Sequence, residues 1–529
     1  MNIDKDIRSI QEMRDLVRTA KEAQLEFKHY NQKQVDEIVK AMAEAGYRES
    51  ERLAKMAHEE TGFGKWEDKV IKNQFGTKWV YDSIKDLKTV GVIDVEKGGK
   101  VIRIAEPMGV VAALIPSTNP TSTAMFKAII SLKGRNAIVA SPHPKAVNCT
   151  MEAMKVMSDA AEKAGAPKGL IQCMSLPTLE GTHELMKHKD VAVILATGST
   201  PMVKAAYSTG TPAYGVGSGN VPAFIERTAD YKKAVADIIT GTTFDNGTLC
   251  SSEQSMIVDR PLLEKVKEEV RKNGGYFVSP EEKLKLERAI QKGGRINPDI
   301  VGKPATFIAQ YAGFEVPPDT TVLLAECNKV GKDEPFSMEK LSPTLAFYVV
   351  DGWLEGCHRC IELLNFGGIG HTMVIHSNDK EIIMKFAMEK PAFRIIVNSP
   401  ASLGAVGYTT DLDPSLTLGV GTWGGSIISE NVTAKHLLNI KTLAFETHLL
   451  NKGESVNSFD GVAIGATDYA HTGNFTEMIE ERLRARAGNP TLSVSSQTSG
   501  KTGGGNGNKT LGSNITPEEV EKIIREFKL

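Results

Sequence analysis

Of the six cysteines in this 529-residue chain, one stands where a nucleophile could work. Thr243-Phe244-Asp245-Asn246-Gly247-Thr248-Leu249-Cys250-Ser251-Ser252-Glu253-Gln254 places Cys250 just after an Asn-Gly turn and just before the apolar run 255–258. Such a junction presents a thiol at the end of an element. Its thiolate attacks carbonyl carbon well if peptide N–H groups or a cation lower the pKa. Taken alone, the pattern also suits a buried structural cysteine. Cys149, Cys173 and Cys327 lack it. Cys357-His358-Arg359-Cys360 has the spacing of half a zinc site, but no second cysteine pair completes it. The neighbouring Ile361, Leu363 and Leu364 predict a helix there instead.

Two further loops hold polar groups after apolar runs. Pro116-Ser117-Thr118-Asn119-Pro120-Thr121 follows the run 110–115. Ligands collect at the carboxyl ends of parallel strands, and the Asn119 amide could donate to an oxyanion there. Asparagine is equally a common turn residue. The run 191–196 leads into Thr197-Gly198-Ser199-Thr200-Pro201, where Pro201 predicts a helix start whose free N–H groups suit a phosphate. An ordinary strand-to-helix loop has the same pattern. Gly419-Val420-Gly421-Thr422-Trp423-Gly424 fits G-x-G-x-x-G, but no strand–helix–strand unit surrounds it.

The elements that must position these residues are legible as a change of texture along the chain. Ile7, Ile10, Met13, Leu16 and Val17, then Val35, Ile38, Val39 and Met42, recur at helical spacing. Segments 89–95 and 100–106 are β-rich and flank Glu96-Lys97-Gly98-Gly99, which predicts a hairpin. From residue 109 short apolar runs at 110–115, 137–140, 170–174 and 191–196 alternate with helical stretches. Strands buried on both faces read as continuous apolar runs, so this predicts a doubly wound parallel sheet. A second α/β stretch runs from about 220 to 440, with strands expected at 255–258, 345–350 and 372–375. Residues 488–513 are rich in Gly, Ser, Thr and Asn, which predicts a flexible linker. After it, Thr516, Pro517 and Glu519 form a capping box, and Val520, Ile523, Ile524 and Phe527 make one apolar stripe.

Composition narrows the class. Lys and Arg number 63 against 65 Asp and Glu, a formal net charge of −2. That argues against a nucleic-acid or anionic-membrane binder, which shows a basic excess. The apolar runs are too short to span a bilayer, and the charged start MNIDKDIRSI is no secretory signal. Sparse cysteine points to the cytosol, so a cytoplasmic enzyme is expected.

These sites, in this order, resemble the aldehyde dehydrogenase superfamily over about residues 5–440. The resemblance rests on the Asn119 loop, Ser141-Pro142-His143-Pro144-Lys145, Thr197-Gly198-Ser199-Thr200, Cys250, Glu339-x-x-Ser342-Pro343 and 421–439. PSTNPTS, FDNGTLCSSEQ, GGIGHT at 367–372 and AKHLLNIK are similar to its coenzyme-A-acylating branch, in particular to propionaldehyde dehydrogenases of bacterial microcompartments. Hydrolytic members carry a Glu before the cysteine loop, whereas Gly215-Val216-Gly217-Ser218-Gly219-Asn220-Val221 has no carboxylate.

The resemblance implies an α/β fold of two doubly wound domains with a β-hairpin oligomerisation arm. Residues 1–88 and 107–218 would bind NAD. Residues 89–106, with part of 421–487, would form the arm, and 219–420 the catalytic domain, with 421–487 as a C-terminal return. It further implies Cys250 as nucleophile and Asn119 as oxyanion donor. Ser141, His143, Gly198, Ser199, Glu339 and Pro343 would contact NAD, and His371 would lie near the active site. Glu253 is expected to be structural. The expected partners are a small aldehyde, coenzyme A, a second copy or three more of this chain, and a microcompartment shell protein docked by 514–529. No metal, nucleic acid or membrane is expected. The expected reaction is NAD-dependent oxidation of propionaldehyde to its acyl-CoA, the alternatives being an acetaldehyde-preferring or a hydrolytic enzyme.

Overall fold

The computed structural model describes residues 4–451 together with 453, 456 and 458. The linker expected at 488–513 and the helix expected at 514–529 lie outside the described residues. Among the described residues no helix is long and apolar enough to cross a membrane.

Four helices open the chain: α1 (Lys5–Phe27), α2 (Gln32–Arg48), α3 (Ser50–Thr61) and α4 (Trp66–Gln74). The α2 start is a full capping box, with Asn31 and Gln34 each bonding the other's backbone N–H. Its buried face is Val35, Ile38, Val39 and Met42, the set that the spacing predicts. In α1 the buried face turns on Met13 and Val17, while Ile7 stays 58% exposed at the open end of the helix.

β1 (Gly91–Glu96) and β2 (Val101–Pro107) form the expected antiparallel hairpin. Next come β3 (Val110–Ile115), α5 (Pro120–Lys133), β4 (Ala137–Pro142), α6 (Val147–Lys163), β5 (Ile171–Cys173), α7 (Leu179–Lys187), β6 (Val191–Thr197), α8 (Thr200–Tyr207) and β7 (Ala213–Val216). The strands pair in the order β5-β4-β3-β6-β7, all parallel. β3 and β4 are buried at every position, which is why they read as unbroken apolar runs. The chain leaves β3 toward β4 and β5, then returns to β6 on the other side. A crevice forms at that switch point. Lys127 of α5, wholly buried, donates to the carbonyls of Leu114 and Leu195, both at 2.8 Å, and so ties the ends of β3 and β6 together.

The second sheet holds β8 (Val221–Ile225), β9 (Glu253–Asp259), β10 (Gly275–Phe277), β11 (Val322–Glu326), β12 (Thr344–Val350), β13 (Gly370–His376) and β14 (Ala392–Val397). Its order is β10-β11-β12-β9-β8-β13-β14, again parallel. α9 (Tyr231–Thr243) connects β8 to the cysteine loop, and α10 (Gly352–Phe366) carries Cys357 and Cys360 inward, as helix cysteines rather than a metal site. Finally β15 (Leu438–Ala444) pairs with β2 and makes the hairpin a three-stranded sheet. The fold is thus the α/β arrangement expected, two parallel sheets and a three-stranded antiparallel one, with a short antiparallel pair of Gln291–Lys292 and Arg295–Ile296 besides.

Candidate active site

Everything of interest lies where the carboxyl ends of the first sheet meet the amino ends of the second. Asn119, His143 and Ser199 follow β3, β4 and β6. Gly219, Cys250, Glu339 and His371 precede or open β8, β9, β12 and β13. The carboxyl-end rule therefore locates the first group and not the second.

Cys250 hangs from a strained turn. Asp245, Asn246 and Gly247 all have positive φ, 49°, 51° and 73°. For the two non-glycine residues this conformation is disfavoured and must be held from outside. The Asp245 carboxylate accepts from the Lys65 N–H at 2.6 Å and from Lys69 Nζ at 2.9 Å, and also contacts Lys72 Nζ. Thr248 donates its hydroxyl to the same carboxylate at 2.5 Å, and Asn246 donates to the Gly302 carbonyl at 3.0 Å. The two lysines hold the buried Asp245 carboxyl below the ordinary carboxylate range against the burial that would raise it. α4 thus clamps the loop that presents the thiol.

The thiol faces a histidine. His371 Nε2 lies 3.3 Å from Cys250 Sγ, and His371 Nδ1 lies 2.9 Å from Thr372 Oγ1. Arg394, buried in β14, donates its Nε–H to Thr372 Oγ1 at 3.2 Å and its terminal N–H groups to the carbonyls of Ser429 and Gly419. Burial, reinforced by Arg394, drives the His371 pKa well below the usual imidazole value, so the ring is neutral. Burial pushes the Cys250 thiol up to about 12, with Glu339 adding to the rise, against Arg394 and the N–H groups of Cys250 and Ser251. The resting cysteine is a thiol. The cation and N–H groups that would lower the thiol pKa are present, and desolvation outweighs them.

Asn119 sits at the foot of α5, directly against the cysteine loop. Its Nδ2 donates to the Thr248 carbonyl at 3.3 Å and to Thr118 Oγ1 at 3.1 Å, and its Oδ1 contacts Lys72 Nζ. Glu339 Oε1 accepts from the Gly219 N–H at 2.8 Å, and burial raises its pKa. Gly219 in turn lies on the cysteine: a Cβ there would fall 1.7 Å from the Cys250 carbonyl and 3.3 Å from His371 Cε1. Glu253 lies apart from this cluster, wholly buried, accepting from the Ala401 N–H at 2.6 Å.

The remaining expected residues line or support the crevice. Gly198 has open space where a Cβ would stand, and Ser199 is exposed at the α8 N-cap. His143 is exposed, its Nδ1 accepting from the Lys145 N–H at 3.1 Å. Ser141 turns its hydroxyl inward onto Thr182 at 2.7 Å, and the Pro343 carbonyl accepts from the Leu323 N–H at 3.0 Å.

A shallow apolar recess lies beside Leu249, walled by Ile71, Phe75, Phe244, Leu403 and Tyr408, with Lys72 its charged lining residue. Reasoning from sequence missed Lys72, Arg394 and Thr372. A signal did exist for Arg394, a lone charge in the apolar strand AFRIIV. Lys72 carried one too, since it and Lys69 fall one turn apart on a helix that must bury a face.

The aldehyde dehydrogenase family pattern matches residues 8–277. The bifunctional aldehyde-alcohol dehydrogenase AdhE of Escherichia coli K12 is 46% identical over 443 residues, 83% of this chain and 50% of that one. The chain spans about half the length of such curated relatives. The crystal structure of an acetylating aldehyde dehydrogenase from Geobacillus thermoglucosidasius is 52% identical, with a TM-score of 0.84, covering 85% of this chain and 100% of that one. A propionaldehyde dehydrogenase from the fucose-utilisation bacterial microcompartment of Clostridium phytofermentans is 28% identical, with a TM-score of 0.74, covering 83% and 98%.

Proposed function

This chain belongs to the aldehyde dehydrogenase family, and we propose that it is a coenzyme-A-acylating member that oxidises a short-chain aldehyde to its acyl-CoA with NAD⁺. One observation carries the reading. The segment 215–220 that packs on Cys250 contains no carboxylate, and the group facing the thiol is the neutral His371. With Glu339 engaged by the Gly219 N–H and no carboxylate in 215–220 to activate water, His371 is the group placed to take a proton from the Cys250 thiol.

In the first step Cys250 Sγ bonds to the aldehyde carbon and its proton passes to His371 Nε2. This needs Nδ1 to carry the ring's resting proton. Thr372 Oγ1 has two lone pairs and accepts from both Arg394 Nε–H and His371 Nδ1–H. The oxyanion takes an N–H from Asn119 and one from the Cys250 backbone. Bound nicotinamide supplies the hydride acceptor, and a thioester remains on Cys250. His371 releases the proton it took from Cys250 to solvent, then takes the proton of the coenzyme A thiol as its sulfur bonds to the acyl carbon; the Cys250–acyl bond breaks and the departing Cys250 sulfur recovers the proton from His371.

The residues present fit a dinucleotide. The switch-point crevice, the open face at Gly198 and the exposed Ser199 leave room for a pyrophosphate, and Glu339 offers its carboxylate on the Cys250 side. Ser141, with its hydroxyl on Thr182, supports the crevice wall, and Pro343 holds the strand that Glu339 precedes.

For the aldehyde, the apolar side chains gathered around Leu249, next to the nucleophile in sequence, support a short alkyl chain over a bulky one. Acetaldehyde is favoured by the identity to the acetylating enzyme, and propionaldehyde by the likeness to the microcompartment enzyme. One methylene is worth about 1–3 kcal/mol, so both react. The apolar stripe in 514–529 supports a role as microcompartment cargo. Fusing 511–529 to a fluorescent protein should give punctate shell-bound signal, and diffuse signal in shell-producing cells refutes it. The exposed strand β15 supports assembly of copies into dimers or tetramers through the hairpin sheet.

The decisive assay follows dinucleotide reduction with acetaldehyde, propionaldehyde and butyraldehyde, using NAD⁺ or NADP⁺, with and without coenzyme A. Sustained turnover should require coenzyme A, with a single burst in its absence. Steady carboxylate production without it would refute the acylating reading.

A further inference from the structure

A carboxamide has two ends of nearly equal shape, and only its neighbours can tell them apart. At Asn119 two of three neighbours do so. Thr118 Oγ1, at 3.1 Å from Nδ2, is indifferent, since a hydroxyl donates or accepts. The Thr248 carbonyl, at 3.3 Å, accepts only and so selects the nitrogen. Lys72 Nζ donates only and so selects the oxygen. The Thr248 contact lies on the side of the cysteine loop, where the developing oxyanion must compete for the same N–H. Once that N–H turns to the oxyanion, the ammonium is the discriminating neighbour that remains.

Lys72 is itself held for this task. Its ammonium contacts the Asp245 carboxylate, Thr248 Oγ1 at 3.3 Å and Asn119 Oδ1, three acceptors for three protons. Asp245 is in turn satisfied by Lys69, Thr248 and the Lys65 N–H. Buried at 4% exposure, Lys72 therefore joins the turn that presents Cys250 to the side chain assigned to the oxyanion.

We propose that Lys72 is a positioning residue, whose ammonium fixes the orientation of the Asn119 carboxamide so that its N–H faces the reacting carbonyl oxygen. The proposal rests on the oxyanion reading of Asn119. It also implies a pH limit. Burial lowers the Lys72 pKa to about 8, with Asp245 and Asp68 opposing and Lys69 assisting. An uncharged amine has a lone pair that can accept the amide N–H, so the reversed carboxamide becomes admissible as pH rises.

The test uses the full chain with propionaldehyde, NAD⁺ and coenzyme A, reading the first-turnover burst of NADH. Lys72→Met removes the donor. Lys72→Met alone leaves Asp245 paired with Lys69, and Lys72→Met with Asp245→Asn leaves Lys69 as the charge of the clamp, so a loss common to both does not depend on the sign of the charge that remains. Each should slow the burst by roughly 10- to 100-fold while NAD⁺ affinity stays within about threefold, as for loss of an oxyanion contact. Adding Asn119→Ala to either should cost little more. The wild-type burst should decline above about pH 8, and the Asn119→Ala enzyme should not show that decline. Wild-type rates in the Lys72 variants, losses that multiply with that of Asn119→Ala, or the same alkaline limb in both enzymes would overturn the proposal. A wild-type rate in Asn119→Ala alone would instead remove the oxyanion reading beneath it.

Discussion

His371 Nε2 stands 3.3 Å from Cys250 Sγ although the two residues are far apart in sequence and open different strands, and neither group is charged at rest. This contact supports the proposed proton transfer from Cys250 to His371 coupled to attack. Cys250→Ala should abolish acyl-CoA formation with NAD⁺ binding intact by calorimetry. His371→Ala should slow the NADH burst by roughly 10²–10⁴-fold. Thr372→Val, which leaves Nδ1 without its acceptor, should show a smaller loss of the same kind. An unchanged burst in His371→Ala would remove the base from the mechanism.

Asn119 lies beside the cysteine loop and donates one N–H to its Thr248 carbonyl. Replacing it with Ala should lower kcat by roughly 10²–10³-fold, about 3–4 kcal/mol of transition-state binding. The KM for NAD⁺ should scarcely move. A rise in that KM at constant kcat would make Asn119 a cofactor contact instead.

The parts legible in sequence were those with a local cause. The β3 and β4 runs announce two-faced burial, and the α2 stripe announces its helix. Cys250 was recognisable because a turn and an apolar strand bracket it within a dozen residues. The clamp around it was not. Lys72 and Arg394 reach the site from α4 and β14, and their partners are fixed only when the two sheets meet end to end. Nor could spacing reveal that the second sheet offers its amino ends. Ile7 matched the helical period and is exposed, since the first turn of α1 overhangs the core.

Gly219 is a steric constraint independent of conformation. A Cβ at that position would fall 1.7 Å from the Cys250 carbonyl oxygen, a backbone atom that cannot swing aside. Gly219→Ala should therefore displace the cysteine loop or the Glu339 contact to its N–H. Burst rates should fall at least tenfold, since small misplacements of reacting groups carry losses of about that size or more. Circular dichroism should remain native. Near-wild-type kinetics would mean that the loop tolerates a shift the geometry does not offer.

His376 ends β13 at 1% exposure, and its Nε2 has no hydrogen-bond partner. Burial, assisted by Lys233, lowers its pKa to about 3, against about 6.5 in an unfolded chain. Between those values the unfolded state binds the extra proton and the folded state does not, so stability falls as pH drops below about 6.5. At pH 5 the loss relative to pH 7.5 is about 2 kcal/mol for this group alone. Glu253 acts in the opposite sense, because burial raises its pKa to about 8 and its contribution is lost as pH rises. Comparing wild type with His376→Gln isolates the histidine term. The difference in unfolding free energy between pH 7.5 and pH 5, from urea titrations, should be smaller by about 2 kcal/mol in the variant. Equal acid sensitivity in the two proteins would show that His376 takes up its proton without unfolding.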